Sequence, residues 1–378
     1  MVSKKVMVSG CFDLLHGGHV AFFKTAASYG ELYVVVGTDA NLLLLKGKRP
    51  VFSQEERLFL VRSIKYVYNS FMATGSGMLD FEPDIERIKP DIFIVNKEGH
   101  TPGKEKLCKE KGVQYLVLER IPEEGLPARS SSGTKKELRF PYRLCLAGGW
   151  IDQPWMSEIC PGSVVVAQIY PTLDFNGRSG LATSSRDFGI KIWGDRYPDG
   201  DPLQNAKILF GAENPPGTKY VAGSQDHIGL LLPGVNRLFY NGSYWPDKID
   251  STVDKETCDW LSDVIHLVPL KPRPDGYDPL REMHLDKKLV KELGDSGDRC
   301  WQSIINKDVN GLGKSMSDTL ISWKKILPLT VPDSIMKDIE KNYFPNYSGA
   351  ITTGCGGGYI IVISEKEVEG AIKIKVRY

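Results

Sequence analysis

The sequence is short of several things that would have fixed its class at once. Of its 378 residues only seven are cysteine, at 11, 108, 145, 160, 258, 300 and 355, and no C-x-x-C pair occurs. That pattern gives no support to a thiolate zinc site. An odd, dispersed set reads as reduced thiols in a cytoplasm. No run approaches the roughly 18 apolar residues of a membrane helix. The opening MVSKKVMVSG is basic but lacks the apolar stretch of a signal peptide, so secretion and membrane embedding are both disfavoured. Charge of either sign is not in excess: 48 Lys and Arg stand against 47 Asp and Glu, a net +1. A nucleic-acid or general polyanion binder would carry a basic excess, whereas a local phosphate site stays open. No internal repeat or low-complexity tract is visible.

What is present is ordinary for a globular chain, 41% apolar and 25% charged, which argues against bulk disorder. At about 150 residues per domain, the length allows two or three domains. The first 137 residues alternate apolar runs with helical patterns. Strands are expected over 5–9, 32–37, 91–95 and 113–118, and helices over 19–28, 53–64 and 104–111. Such alternation points to a doubly wound parallel sheet of α/β class, which binds ligands beyond the carboxyl ends of its strands. The composition then shifts at EEGLPARSSSGTKKELRFP. Residues 197–217 and 271–279 read as loop-rich, 286–320 as mostly helical, and 349–364 and 372–378 as strands around a glycine cluster. The expected division is 1–137 and 138–378.

The first strand runs into Gly10-Cys11-Phe12-Asp13-Leu14-Leu15-His16-Gly17-Gly18-His19. Glycines admit close backbone approach, a helix opening near His19 offers free N–H groups to an anion, and both histidines can donate there. Two incidental histidines at a turn, or a metal pair, are the alternatives. Lys46-Gly47-Lys48-Arg49-Pro50 follows, then Ser53 and Glu55-Glu56-Arg57, and finally Arg129-Ser130-Ser131-Ser132-Gly133-Thr134-Lys135-Lys136. In order and spacing these three segments resemble the motifs of the cytidylyltransferase-like (H-x-G-H) nucleotidyltransferases. They stand close to the glycerol-phosphate cytidylyltransferases and ADP-heptose-forming adenylyltransferases. The resemblance implies a Rossmann-like domain in which His16, His19, Lys46 and Arg129 are catalytic. It also implies that Gly10, Cys11, Phe12, Gly18, Ser131, Ser132 and Thr134 bind nucleotide, with Lys48 or Arg49 in support. CTP or ATP would be the substrate, with Mg²⁺ carried by the nucleotide and no protein metal ligands. A solvated basic loop at 46–49 and a flexible serine linker remain the alternative readings.

A second constellation begins at Arg143, in RLCLAGGWIDQP, and continues through GLATSS at 180–185, GSQDH at 223–227 and TTGCGGGY at 352–359. These resemble, in order, the motifs of the GHMP sugar kinases, nearest the heptose-phosphate and fucose kinases. The resemblance implies an α+β domain in which Gly180, Ser184 and Ser185 hold ATP phosphates. Asp152, Gly356 and Gly357 would contact a sugar, and Asp226 would take the proton of its hydroxyl. A turn Asp at 152 and a structural Asp at 226 are the plain alternatives. The combined expectation is a cytoplasmic, bifunctional transferase that phosphorylates a sugar or polyol and transfers a nucleotidyl group to the phosphate. A nucleotidyltransferase with a non-catalytic sugar-binding domain and a ligand sensor are the other readings. Homodimer formation is implied by resemblance.

Overall fold

The computed structural model describes residues 3–47, 50–119, 121–274 and 276–378. It divides into two compact units, Met1–Lys135 and Lys136–Tyr378.

Unit 1 runs β1 (Lys5–Gly10), α1 (Gly17–Ala27), β2 (Glu31–Val36), α2 (Asp39–Lys46), α3 (Gln54–Arg62), β3 (Asn69–Met72), α4 (Glu82–Ile88), β4 (Ile92–Asn96), α5 (Pro102–Glu110), β5 (Gln114–Leu118) and α6 (Ser131–Glu137), whose last two residues lie beyond the boundary. Its five strands form one parallel sheet in the order β3-β2-β1-β4-β5. Alternation within strands puts Val6 and Val8 in one apolar cluster and Met7 in another. Both faces are therefore covered, as crossover helices require. Strand order reverses at β1, between β2 and β4, and the carboxyl ends of β1 and β4 open the crevice there. β3 escapes sequence reading because NSFM is too short to show a period. The unforeseen α2 starts at a Thr38 cap and ends at Gly47 in the left-handed region, φ +63°.

Unit 2 runs β6 (Tyr142–Ala147), α7 (Pro154–Ser157), β7 (Gly162–Ile169), α8 (Thr183–Trp193), α9 (Pro202–Glu213), α10 (Ser224–Leu231), β8 (Val235–Tyr240), β9 (Lys248–Thr252), α11 (Lys255–Val264), β10 (Ile265–Pro269), α12 (Lys287–Ile305), α13 (Val309–Ile326), α14 (Asp333–Asp338), β11 (Gly349–Thr352), β12 (Tyr359–Ile363) and β13 (Ile372–Lys373). Two four-stranded antiparallel sheets, β6-β7-β8-β9 and β11-β12-β10-β13, share one apolar core with these helices, an α+β arrangement. The stretch 197–217, expected as loop, contains the twelve-residue α9. Asp201 caps it and Pro202 occupies its first turn. The proline that reads as a breaker is a helix starter at that position.

Candidate active sites

In unit 1, His16 is the N-cap of α1. Its Nδ1 accepts from the Gly18 N–H at 3.1 Å, and the His16 N–H donates to His19 Nδ1 at 3.3 Å. The two rings lie 4.0 Å apart at 30°, with Phe12 edge-on to His19. Because each Nδ1 is an acceptor, each neutral imidazole carries its proton on Nε2. His16 and His19 therefore each keep an Nε2–H donor, that of His16 buried, while the Gly18, His19 and Val20 N–H groups already donate to His16. Gly18 cannot grow here: a Cβ would stand 3.1 Å from the His16 ring and 3.3 Å from the Arg129 carbonyl. Gly10 is likewise covered by the Phe12 ring, 2.8 Å from where a Cβ would be.

A cavity of about 590 Å³ is lined by Gly10, Cys11, Phe12, Gly18, His19 and Lys46, among others, and His16 is not on its wall. Ser131 and Lys135 on α6 and Asn96 at the end of β4 share the wall. Arg129 is exposed and sets its carbonyl against Gly18. Arg129 and Thr134 are not among the residues on the cavity wall, and the Thr134 N–H donates to the Ser130 carbonyl at 2.9 Å. Lys48, Arg49 and the Ser132 side chain lie outside the described residues.

Three side chains to which sequence reasoning gave no role hold this site. Asp13, 3% exposed, accepts from the Val51 and Phe52 N–H groups and pairs with Lys135 at 2.5 Å. Burial pushes its carboxyl up, but Lys135 and the two amides outweigh that and hold it below the usual range. Fully buried Arg57 donates to the Phe52, Cys11 and Gly37 carbonyls and to Asp39. It ties α3 to the cavity loop. Lys104 reaches the cavity from α5 and donates to the Gly99 carbonyl at 2.9 Å. Burial lowers its ammonium pKa, with half-buried Asp80 opposing. Nothing in PGKEKLCKE distinguishes Lys104 from its solvated neighbours; only the fold turns it inward.

In unit 2 all four glycine-rich or acidic segments meet at a second cavity, of about 1010 Å³. Asp152, 1% exposed, lines it. Its Oδ1 accepts from Gln225 at 3.0 Å, and its Oδ2 has no partner among the described residues. Burial raises this carboxyl to about 6, against the pull of Arg143. Asp226, in the first turn of α10, lines the same wall and pairs with buried Arg143. Gly223 just before it has no room for a side chain, since a Cβ would fall 1.7 Å from Asp152 Oδ2. Gly180, at φ +74°, packs on Gly354, and with Thr183 and Ser184 it lines the cavity. Three expected residues stand elsewhere. Gly356 packs on Tyr277 and Gly357 on the Lys271 carbonyl, leaving Gly354 and Cys355 on the wall. Ser185 is buried beneath the helix start, its Oγ unpartnered among the described residues.

Comparison with known proteins bears first on unit 1. The sequence model of the family described as "Cytidylyltransferase-like" matches residues 7–133. A FAD synthase of Thermococcus kodakarensis is 37% identical over 139 residues, covering 36% of this chain and 80% of that protein. The chain belongs to the cytidylyltransferase-like family. Membership makes unit 1 a nucleotidyltransferase and the protein a transferase. A second relative, the bifunctional protein HldE of Helicobacter pylori, is 35% identical over 135 residues; the match covers 31% of this chain and 27% of that protein, so this chain spans about a quarter of it. Among solved structures, a D-glycero-D-manno-heptose 1-phosphate kinase from Bacteriodes thetaiotaomicron is similar at 13% identity and a TM-score of 0.39, covering 63% of this chain and 94% of that one.

The described residues contain no group of three His, Cys, Asp or Glu side chains able to hold a metal. Asp13, the acidic side chain on the first cavity's wall, is committed to Lys135 and two amides. No helix among the described residues is long and apolar enough to cross a membrane.

Proposed function

We propose that unit 1 transfers a nucleotidyl group from ATP or CTP to the phosphate of a sugar or polyol. Unit 2 binds that sugar and phosphorylates it with ATP. In the first reaction an oxygen of the acceptor phosphate attacks the α-phosphorus. The new P–O bond forms as the bond to the bridging oxygen breaks, and pyrophosphate leaves with that oxygen. Charge gathers on the non-bridging oxygens, where fixed donors contribute most. His19, through Nε2–H, and His16 behind it in the cap serve the reacting phosphate. Lys46 draws acceptor and triphosphate together. Ser131 and Lys135 hold the outgoing phosphates. Asn96 and Lys104 stand where the acceptor enters.

The observation that carries this reading is His19, fixed by its reciprocal cap with His16, on the wall of a cavity shared with Lys46, Ser131 and Lys135. For unit 2 the support is the convergence of Asp152, Gly180, Ser184 and Asp226 on one cavity. Arg143 fixes the Asp226 carboxylate at its wall, placed to take a hydroxyl proton during phosphoryl transfer. Seven free thiols suit a cytoplasmic setting.

The test is pyrophosphate release from ATP and from CTP with sugar 1-phosphates, glycerol phosphate and flavin mononucleotide, beside ADP release from ATP with free sugars. His16→Ala lowers the first activity by about 10²–10³-fold, the usual loss of one such donor. If His16→Ala keeps full activity, the site is misplaced. Asp226→Ala abolishes the second. If the wild type makes no ADP with any sugar, unit 2 is a binding domain only. Release with flavin mononucleotide alone assigns the acceptor to the chemistry of the FAD synthase relatives.

A further inference from the structure

Trp150 is held where a tryptophan is least at ease. Its φ is +81°, in the left-handed region that bulky side chains avoid. It follows two glycines, and a third would take the turn without strain. A bulky residue kept in such a conformation at a cavity points to a role for its side chain. The ring is half-buried and lines the second cavity, with Cys355 on the same wall. Trp155, in the first turn of α7, lines that wall too. The two indole centroids are 6.2 Å apart with planes at 48°, which makes an angled aromatic surface rather than a closed stack.

Between them in sequence stands Asp152, its Oδ2 buried and without a partner among the described residues. Residues 150–155 therefore offer one ligand an aromatic face and a carboxylate acceptor. A pyranose matches both, because its ring C–H groups form an apolar face and its hydroxyls donate at the edge. The electron-rich face of an indole attracts the faintly positive C–H groups, and the carboxylate takes a hydroxyl proton in a charge-assisted bond. A linear polyol lacks the face, and a planar heteroaromatic ring lacks the ring of edge hydroxyls.

We propose that Trp150 and Trp155 form the platform that stacks on the apolar face of a pyranose and so selects the sugar for unit 2. This rests on the sugar reading of unit 2 given above. The full chain is titrated with mannose, galactose, glucose and their 1-phosphates, with binding read by tryptophan fluorescence and by calorimetry. At least one sugar binds saturably and shifts the emission. Trp150→Gly and Trp155→Ala each weaken that sugar about tenfold, the factor an aromatic contact commands. Trp150→Phe, which keeps a ring, stays within about threefold of the wild type. If a sugar binds but both Trp150→Gly and Trp155→Ala bind it as the wild type does, the platform is overturned and the sugar reading stands. If no sugar binds while ATP or flavin mononucleotide alone shifts the emission, the sugar reading falls with it. Should Trp150→Gly fail to fold, Trp155→Ala and Trp150→Phe decide the matter by the same comparison.

Discussion

His16 and His19 cap each other's backbone before either meets a ligand. That economy at the residue scale explains why the motif needs both histidines three apart, since the N-cap and the third helical residue are the two ends of a capping box. Asp152 shows the opposite kind of residue, one that the fold holds at a cost. Its carboxyl is raised to about 6 by burial, so the folded state binds a proton more tightly than the unfolded chain. Stability is then greatest below the unfolded value near 4 and falls as pH rises from about 4 to about 6. Asp152→Asn is expected to stabilise unit 2 at pH 7 by on the order of 2 kcal/mol, while weakening any ligand whose hydroxyl donates to that oxygen. The gain in melting temperature disappears near pH 4, where the aspartic acid is already neutral. A gain equal at pH 4 and pH 7 would show that the burial of charge is not its source.

At the scale of elements, loops that look independent in sequence are fastened by buried polar side chains. Asp13 grips the chain just before α3 and reaches α6 through Lys135, and Arg57 clamps the ends of β1 and β2 from within α3. Two glycine segments 174 residues apart meet at Gly180 and Gly354, where a Cβ on Gly180 would sit 2.5 Å from the Gly354 nitrogen. Gly180 also lies at φ +74°. Gly180→Ala therefore combines a backbone clash with left-handed strain, and a loss of about 2–4 kcal/mol is expected in denaturant titration. The same substitution at Gly177, which has open space around it and no positive φ, changes stability by less than about 0.5 kcal/mol. Equal behaviour of the two variants would remove the close approach from the account.

On the scale of the whole molecule there are two cores. Every buried residue of the largest apolar cluster belongs to unit 2, whereas the two clusters flanking the parallel sheet belong to unit 1. Each unit has its own cavity, so ligands are expected to act on separate unfolding transitions. ATP or CTP at about 100 times its dissociation constant adds roughly 2.7 kcal/mol to the unit that binds it, provided the unfolded chain does not bind it. Differential scanning calorimetry with CTP, with a sugar and with both reads this directly. His16→Ala is expected to cancel the shift from CTP and leave the shift from the sugar. A sugar shift that also vanishes in His16→Ala would contradict separate sites.

Much of this was legible in the chain itself. Alternating apolar runs determined the parallel sheet, because strands covered on both faces must be apolar throughout. The segments GCFDLLHGGHV and RSSSGTKK marked the first site because close phosphate approach needs glycine and donors side by side. The spacing of RLCLAGGWID, GLATSS, GSQDH and TTGCGGG marked the second. Tertiary structure alone decided which members of those motifs face a cavity: Cys355 rather than Gly356, Ser184 rather than Ser185, Lys135 beside Ser131. It alone turned Lys104 inward, buried Arg57, set Asp152 beside Gln225, and strained Trp150 against two glycines. The physical reason is one of range. Glycine, proline and apolar period act over a few residues and can be read in order. The burial of a charge and the facing of a side chain depend on neighbours far along the chain, as with Arg377 over the Tyr170 ring, and those exist only once the chain has folded.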